Sequence, residues 1–174
     1  VFVRGLAAAA RGSAEAETSL AKLREFRKES SSGDAYRSKP AEIRELEIAA
    51  LAASSKKSHD EAISLMKRAT ALEEEMAPPS GPPSLIKPSH ELFGEILLAA
   101  GRPKEAAAEF ATALLRQPNR ARSLLGSARA ASASGDAKAA AEAYSRFLKQ
   151  WQQADPNLPE LREARDYLKQ AASR

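Results

Sequence analysis

Cysteine is absent from the 174-residue sequence, which excludes disulfide bonds, thiolate catalysis and zinc sites built on cysteine. The sequence also has no run of about 20 apolar residues, so it predicts no helix that inserts into a membrane. Lysine and arginine are interspersed with aspartate and glutamate, and the net charge is only +4. Because no polybasic block stands out, charge alone indicates no class of partner.

Aromatic residues make up only 5% of the chain, whereas alanine is abundant and hydrophobic residues reach 43%. Small side chains must therefore do much of the packing. Alanine loses no side-chain entropy on entering a helix, so this composition favours closely packed helices over strands. The chain is long enough to bury a core as one domain. We therefore expect an all-α fold.

A short signature of small and aromatic residues recurs after 34 residues near the C-terminal end. It pairs Gly101 with Gly135, Ala106 with Ala140 and Phe110 with Tyr144. The pattern is similar to the tetratricopeptide repeat, in which two antiparallel helices cross at small residues. Six residues match the signature of that family in order: Gly94, Gly101, Ala106, Phe110, Ala113 and Pro118. The next unit departs from it, because Phe147 stands where a small residue is usual and the closing proline is missing.

The resemblance implies a single-domain α-solenoid of antiparallel helix hairpins. About four units are expected, at residues 1–29, 40–76, 87–120 and 121–154, with a capping helix at 158–172. The stretches GPP and KPSHELFGE are similar to stretches in the repeat regions of uncharacterised bacterial tetratricopeptide proteins. That likeness implies a bacterial origin and no assigned activity.

The turns between paired helices are expected at Gly12, Lys57, Gly101 and Gly135, with lysine replacing the usual glycine in the second unit. Their intervals of 45, 44 and 34 residues place inserts in the first two connections. One insert is the serine- and glycine-rich stretch 30–38, and the other is the proline-rich stretch 78–88. Prolines forbid a continuous helix in the second insert. The sequence therefore predicts an irregular array.

Local signals mark several helix ends. Three of them mark helix starts: a capping box of Ser58 with Glu61, an N-cap at Asp136 and a first-turn proline at Pro103. Because no closing proline follows it, the helix after Gly135 is expected to continue through Trp151. A last helix from about Pro159 to Ala172 is expected to cap the stack. The aromatic stripe Tyr144, Phe147 and Trp151 shares one helix face, which favours packing against that cap over a platform for a base or ligand.

By resemblance, the first helix of each unit lines a concave groove that receives a peptide or protein. The groove candidates are Glu47, Leu51, Ser54, Glu91, Glu95, Leu98, Arg122, Leu125, Arg129 and Ser132. Some members of the family hold the carboxylate tail of chaperones with lysine and asparagine side chains in the groove. Glu91, Glu95 and Leu125 occupy the comparable places here, so we expect no such clamp.

No constellation of catalytic residues stands out, so we expect neither enzyme activity nor a cofactor. His90 is followed by Glu91, but Gly94 stands where a helical zinc motif needs its second histidine, and His59 belongs to another unit. We therefore expect no metal site and two ordinary surface or helix-end histidines. The adjacent glutamates 73–75 fan around a helix, which favours a solvated helix end over an acid/base pair.

The leading hypothesis is a non-enzymatic scaffold for a protein or peptide. Four arginines cluster around one junction between units: Arg116, Arg120, Arg122 and Arg129. Without interleaved aromatics they are expected to be solvated or ion-paired rather than to bind phosphate or nucleic acid. Because the first residue is Val1, we expect a longer precursor, and the alternative is a regulatory segment of a larger protein whose active domain lies N-terminal to it. The localisation and the oligomeric state stay open, with the cytoplasm slightly favoured.

Overall fold

The structure, a computed structural model, describes residues 1–30, 35–77 and 86–173. These residues form nine α-helices and no strand, which confirms the all-α prediction. The helices are α1 (Phe2–Ala10), α2 (Glu15–Ser30), α3 (Ala35–Ser55), α4 (His59–Glu74), α5 (Ser89–Ala99), α6 (Pro103–Arg116), α7 (Ala121–Ala133), α8 (Ala137–Gln150) and α9 (Pro159–Ala172). None of these helices is long and apolar enough to cross a membrane.

Four turns of the same geometry join α1 to α2, α3 to α4, α5 to α6 and α7 to α8. Each contains one residue with a left-handed backbone: Gly12 (φ 65°), Lys57 (φ 63°), Gly101 (φ 72°) and Gly135 (φ 81°). In each turn the amide of the following residue donates to the carbonyl five residues before it, at 2.9 Å. This bond is the Schellman pattern that ends a helix. The four predicted turn positions are therefore confirmed, and we call these four the turn residues.

Lys57 is the one turn residue with a side chain, and a left-handed backbone costs such a residue about 1 kcal/mol. We expect Lys57→Gly to raise the free energy of unfolding by about 0.5–1 kcal/mol, because glycine adopts this conformation without strain. Urea denaturation measures the change. Lys56→Gly is the matched control, since that lysine precedes the left-handed position, and it is expected to destabilise the protein. A loss of stability in Lys57→Gly would contradict the prediction.

The helices pack in sequence order. Each helix contacts the next one along the chain, and α1, α3, α5 and α7 also contact each other in that order. Three apolar clusters result: one around Leu20 near the N-terminal end, one around Phe110 in the centre and one around Phe147 near the C-terminal end. The core therefore runs along the whole series of helices.

Small residues let the paired helices approach closely. The position seven residues before each turn residue is buried and holds Gly5, Ala50, Gly94 or Ala128. A Cβ atom placed on Gly94 would lie 2.7 Å from Phe110 Cζ, closer than side chains tolerate. A Cβ on Gly126 of α7 would overlap the same ring. The fully buried Phe110 ring therefore lies between two glycines of different helices.

Some predicted helix boundaries change. α3 begins at Ala35, inside the stretch expected to be an insert, and α8 ends at Gln150, so that Trp151 follows the helix instead of continuing it. α9 has the predicted bounds. Residues 31–34 of the first expected insert and 78–85 of the second lie outside the described residues.

All three predicted helix starts are confirmed, since α4 begins directly after Ser58, α6 at Pro103 and α8 directly after Asp136. The Asp136 carboxylate accepts a hydrogen bond from the Ala139 amide at 3.0 Å, and Pro103 is the first residue of α6. The capping-box hydrogen bond at the start of α4 is wrong, because the side chain of Ser58 makes no capping hydrogen bond. The predicted packing of the aromatic stripe against the last helix is confirmed: the rings of Tyr144 and Tyr167 lie 4.8 Å apart, and Phe147 shares an apolar cluster with α9.

Candidate interaction face and the buried charges behind it

The ten groove candidates lie on α3, α5 and α7, whose successive contacts bring them side by side. Seven of them are half-buried or exposed: Leu51, Ser54, Glu95, Leu98, Arg122, Arg129 and Ser132. We call these seven the odd-helix face. The other three, Glu47, Glu91 and Leu125, are buried. The structure therefore corrects the prediction for these three, whose side chains do not lie on an open face.

The burial of the three residues has a common geometric cause. Each lies ten residues before its turn residue, where the side chain is enclosed between neighbouring helices. Ser89 Oγ of α5 donates a hydrogen bond to Glu47 Oε1 at 2.9 Å. One unit later, Ser123 Oγ of α7 donates to Glu91 Oε2 at 2.7 Å. The same serine–glutamate contact thus links α3 to α5 and α5 to α7, while Leu125 lies in the C-terminal apolar cluster.

Glu91 is buried but well supplied with donors. Lys87 Nζ lies 3.0 Å from Oε1, and Arg120 Nε lies 2.7 Å from Oε2. Burial opposes the charged form of Glu91, but the hydrogen bond from Arg120, the charge of Lys87 and the hydrogen bond from Ser123 outweigh it and lower the pKa of the carboxyl. Glu91 is therefore an anion that joins α5, α7 and the segment before α5.

Glu47 has the same position in its unit and the opposite chemistry. Its Oε2 atom is buried without a hydrogen-bond partner. Burial raises the pKa of Glu47 to about 8, and nearby Glu73 adds to the effect, whereas the hydrogen bond from Ser89 and the charges of Lys87 and Arg44 oppose it. At neutral pH this carboxyl is therefore protonated, and the unpartnered oxygen carries no full charge.

The raised pKa of Glu47 predicts a stability that falls as pH rises. Between about pH 4.5 and 8 the folded protein holds one more proton than the unfolded chain, so raising the pH favours unfolding. The free energy of unfolding is expected to fall by up to about 1.4 kcal/mol per pH unit in this window, relative to Glu47→Gln, which keeps an acceptor for Ser89. Urea denaturation at pH 5 to 9 measures the difference. Glu61→Gln, an exposed carboxylate, is the control, and parallel curves for wild type and Glu47→Gln would contradict the assignment.

Glu73 corrects a second expectation. It was predicted to belong to a solvated helix end, but it is buried, and only Glu74 and Glu75 are exposed. Glu73 Oε2 accepts a hydrogen bond from the Ser89 amide at 2.5 Å, and its other oxygen lies 3.5 Å from Arg116 Nε. Glu73 therefore ties the end of α4 to the first turn of α5, where an anion is favoured.

Three of the four clustered arginines bind acceptors within the molecule, as the ion-pair interpretation predicts. Arg116 donates to the carbonyl oxygens of Glu73 and Met76, at 2.9 and 3.0 Å. Arg120 binds Glu91 and also donates to the Ile86 carbonyl at 3.1 Å. The two arginines therefore hold residues on both sides of the connection between α4 and α5.

Arg129 belongs to the odd-helix face and also to a contact with the last helix. Its guanidinium binds Glu163 of α9 through two nitrogens, at 2.9 and 2.6 Å, and the Tyr144 hydroxyl donates to the same carboxylate at 2.8 Å. The hydrogen bond from Arg129 lowers the pKa of Glu163 against the opposing effect of partial burial. Arg122, at the start of α7, is exposed.

His90 is not a surface histidine, although its place in the first turn of α5 fits the helix-end expectation. The side chain is buried, with Nδ1 2.7 Å from Glu109 and Nε2 3.3 Å from Glu74. Within residues 1–30, 35–77 and 86–173, no group of three or more histidine, cysteine or acidic side chains is arranged to hold a metal ion. His90 instead connects α5 to α4 and α6.

Sequence reasoning did not single out Ser89 and Ser123, which hold the buried glutamates. A signal was present: both serines lie twelve residues before a turn residue, and both glutamates lie ten before one. The polar residues repeat with the same register as the small ones. Because Glu47 and Glu91 are polar and stand at expected groove positions, the sequence analysis assigned them to the surface.

A scan against protein-family models and a search of curated proteins find no match for this chain.

Proposed function

We propose that this chain is a tetratricopeptide-like α-solenoid that binds a protein or peptide partner on the odd-helix face and performs no catalysis. The observation that carries the proposal is the fourfold recurrence of one turn geometry, together with the contacts of α1, α3, α5 and α7 in series. A regular series of first helices presents equivalent side chains in rows, which suits an extended ligand.

The composition of the rows supports a partner with mixed polarity. Six residues before the turn residues stand Leu51, Glu95 and Arg129, and three before them stand Ser54, Leu98 and Ser132. The polar members of the face carry an acid in the middle unit and bases in the last. We therefore propose a peptide with apolar side chains and a basic-to-acidic order of charge that matches this arrangement.

Photo-crosslinking tests the proposal. A photoreactive amino acid replaces Ser132 on the odd-helix face or, as a control, Leu115, an exposed apolar residue of α6 that is not part of the face. In extracts of the cells that make the protein, we expect a discrete crosslinked partner at position 132 and none at position 115. Adding Arg122→Glu on the face is expected to reduce the crosslink several-fold.

Equal crosslinking at the two positions would contradict binding on the odd-helix face. A crosslink at position 132 that Arg122→Glu leaves unchanged would contradict the assigned charge pattern. The circular dichroism spectrum of each variant checks that the helices are retained, so that a lost crosslink is not caused by unfolding.

A further inference from the structure

A cavity of about 310 Å³ lies between α4, α5 and α6. Two buried side chains of α5, Phe93 and Leu97, give it an apolar wall, and two exposed alanines, Ala71 of α4 and Ala108 of α6, complete the apolar part of the lining. None of the seven residues of the odd-helix face belongs to this lining. Sites for small ligands start at a volume of about 300 Å³, so the cavity has room for a small molecule or for one side chain of a partner.

A buried histidine with an unpaired nitrogen marks one end of the cavity. His90 is 3% exposed, and its ring lies between two carboxylates that belong to the lining, Glu109 and Glu74. Nδ1 forms a hydrogen bond with Glu109 Oε2 at 2.7 Å. Nε2 lies 3.3 Å from Glu74 Oε1, yet it is buried and has no hydrogen-bond partner among the described residues. Because buried polar atoms are nearly always paired, Nε2 indicates a group that the cavity receives.

The unpaired nitrogen and the carboxylate that it faces both need a donor. The carboxylate of Glu109 can only accept a hydrogen bond, so the neutral ring of His90 carries its proton on Nδ1 and leaves Nε2 as an acceptor. Glu74 Oε1 is an acceptor as well. Thr70 of the lining does not supply the donor, because its hydroxyl donates to the Met66 carbonyl at 3.1 Å within α4. The missing group is therefore one that donates to both atoms.

The charges of the lining favour a cation at this end. Lys67, a basic residue of the lining, precedes Glu74 by seven residues and thus lies about 10 Å from it along α4. A third acid of the lining, Glu105, is already bound by Arg102 through two nitrogens, at 2.5 and 2.6 Å. A group beside the histidine therefore meets mainly the charges of Glu74 and Glu109. An ammonium suits this place, since it is compact, positively charged and carries three donors.

We propose that this cavity binds an alkylammonium group, either from a lysine side chain of a partner or from a free primary amine. The ammonium donates hydrogen bonds to His90 Nε2 and to Glu74, and the alkyl chain lies against Phe93 and Leu97. The proposal goes beyond the binding of a partner on the odd-helix face and shares no residue with that face. Failure of either proposal therefore leaves the other standing.

Nuclear magnetic resonance of the histidine rings tests the proposal, because the chain has only two histidines. His59, the first residue of α4, is the internal control. In the free protein at pH 7 we expect a proton on Nδ1 of His90 and none on Nε2. Titration with n-butylammonium is expected to give a saturable shift of the His90 ring resonances, with an affinity in the millimolar range, and no shift at His59.

Two further probes identify the source of the group and the need for its charge. A peptide with blocked ends and one lysine between glycines binds more tightly than n-butylammonium if the occupant is a lysine of a partner, and less tightly if it is a free amine. Either order supports the site and assigns the source. The same peptide with Nε-acetyl-lysine keeps the alkyl chain without the charge, and it is expected to give no shift.

Two pairs of variants locate the site. Ala108→Leu places a larger side chain in the cavity and is expected to weaken n-butylammonium binding by about tenfold or more. Ala111→Leu, at an exposed alanine of α6 outside the lining, is expected to leave binding unchanged. Glu74→Gln removes one carboxylate charge and is expected to weaken binding about fivefold at low salt, and less at high salt, with Glu75→Gln at the neighbouring exposed glutamate as its control. Circular dichroism checks that each variant retains its helices.

Five results would overturn the proposal. They are protons on both ring nitrogens of His90 in the free protein at pH 7, no saturable shift with n-butylammonium, an equal shift at His59, an equal shift with the acetylated peptide, and unchanged binding in Ala108→Leu. The first result would mean that Nε2 carries its own donor towards Glu74. The fourth would mean that the cavity takes an alkyl chain without a cation.

Discussion

Phe110→Ala is expected to lower the free energy of unfolding by about 3–5 kcal/mol. The ring is fully buried at the centre of the largest apolar cluster and contacts helices on both sides of α6. Its removal leaves a cavity that Gly94 and Gly126 have no side chains to fill. Urea denaturation followed by circular dichroism measures the loss.

The control for Phe110 lies on the same helix. Leu115→Ala, at an exposed position, is expected to change the free energy of unfolding by less than about 0.5 kcal/mol. A loss below about 1.5 kcal/mol in Phe110→Ala would show that the ring does not join the two units.

The glycines give an independent check of the same contact. Gly126→Ala is favoured by helix propensity by about 1 kcal/mol, but its methyl group would overlap the Phe110 ring, so the variant is expected to be destabilised. In a Phe110→Leu background the overlap is relieved, and the same change is expected to cost less or to stabilise the protein. A double-mutant cycle measures this coupling, and additive effects would contradict the sandwich of the ring between two glycines.

The turns were the most predictable feature of the fold. A helix end followed by glycine is a local signal, because glycine favours the left-handed backbone of the turn. The small residue seven positions earlier lies in the same stretch of sequence. Lys57 was assigned to this position only because of its place in the repeat, although lysine disfavours a left-handed backbone. The structure confirms that register prevails there.

The burial of Glu47, Glu91 and Glu73 was not predictable in the same way. The sequence analysis assigned polar residues outside the contact between paired helices to an open face. For a single hairpin this assignment would be correct, because the side of each helix away from its partner faces solvent. Their burial depends on the next unit, which brings Ser89, Ser123 and two arginines to them. These partners lie 29 to 43 residues away in sequence, so the repeat of serine and glutamate in one register does not by itself show that the glutamates are buried.

The buried glutamates also restrict which surface a partner can use. With Glu47 and Glu91 enclosed, the accessible acid in the middle of the odd-helix face is Glu95, which Lys87 approaches to 2.7 Å. Lys87 therefore partly neutralises the negative charge of Glu95 on this face. A partner gains more from the leucines and from the exposed end at Arg122 than from the acidic centre that the sequence alone indicates.

Glu91→Gln is expected to destabilise the protein by about 3–5 kcal/mol, although the change is nearly isosteric. The carboxylate accepts hydrogen bonds from Lys87, Arg120 and Ser123. The side-chain amide of glutamine has an NH₂ group in place of one carboxylate oxygen, so it cannot accept a hydrogen bond at that position. In the variant, Lys87 and Arg120 lose the negative charge that pairs with them at a site with little access to water. Urea denaturation at pH 7 measures the loss, with Glu105→Gln on the exposed surface of α6 as the control.

The pH dependence of the Glu91 variant distinguishes this account from simple misfit. Because the folded pKa of Glu91 is lowered, its contribution is present above the unfolded pKa of about 4.5 and is lost as the pH falls through the folded value. The gap between wild type and Glu91→Gln is therefore expected to narrow on acidification. For Glu47→Gln the variant gains on wild type as the pH rises towards 8. A gap at Glu91 that is constant from pH 7 to pH 3 would assign the loss to packing alone, and would remove charge pairing as the reason that α5 and α7 are held together at this position.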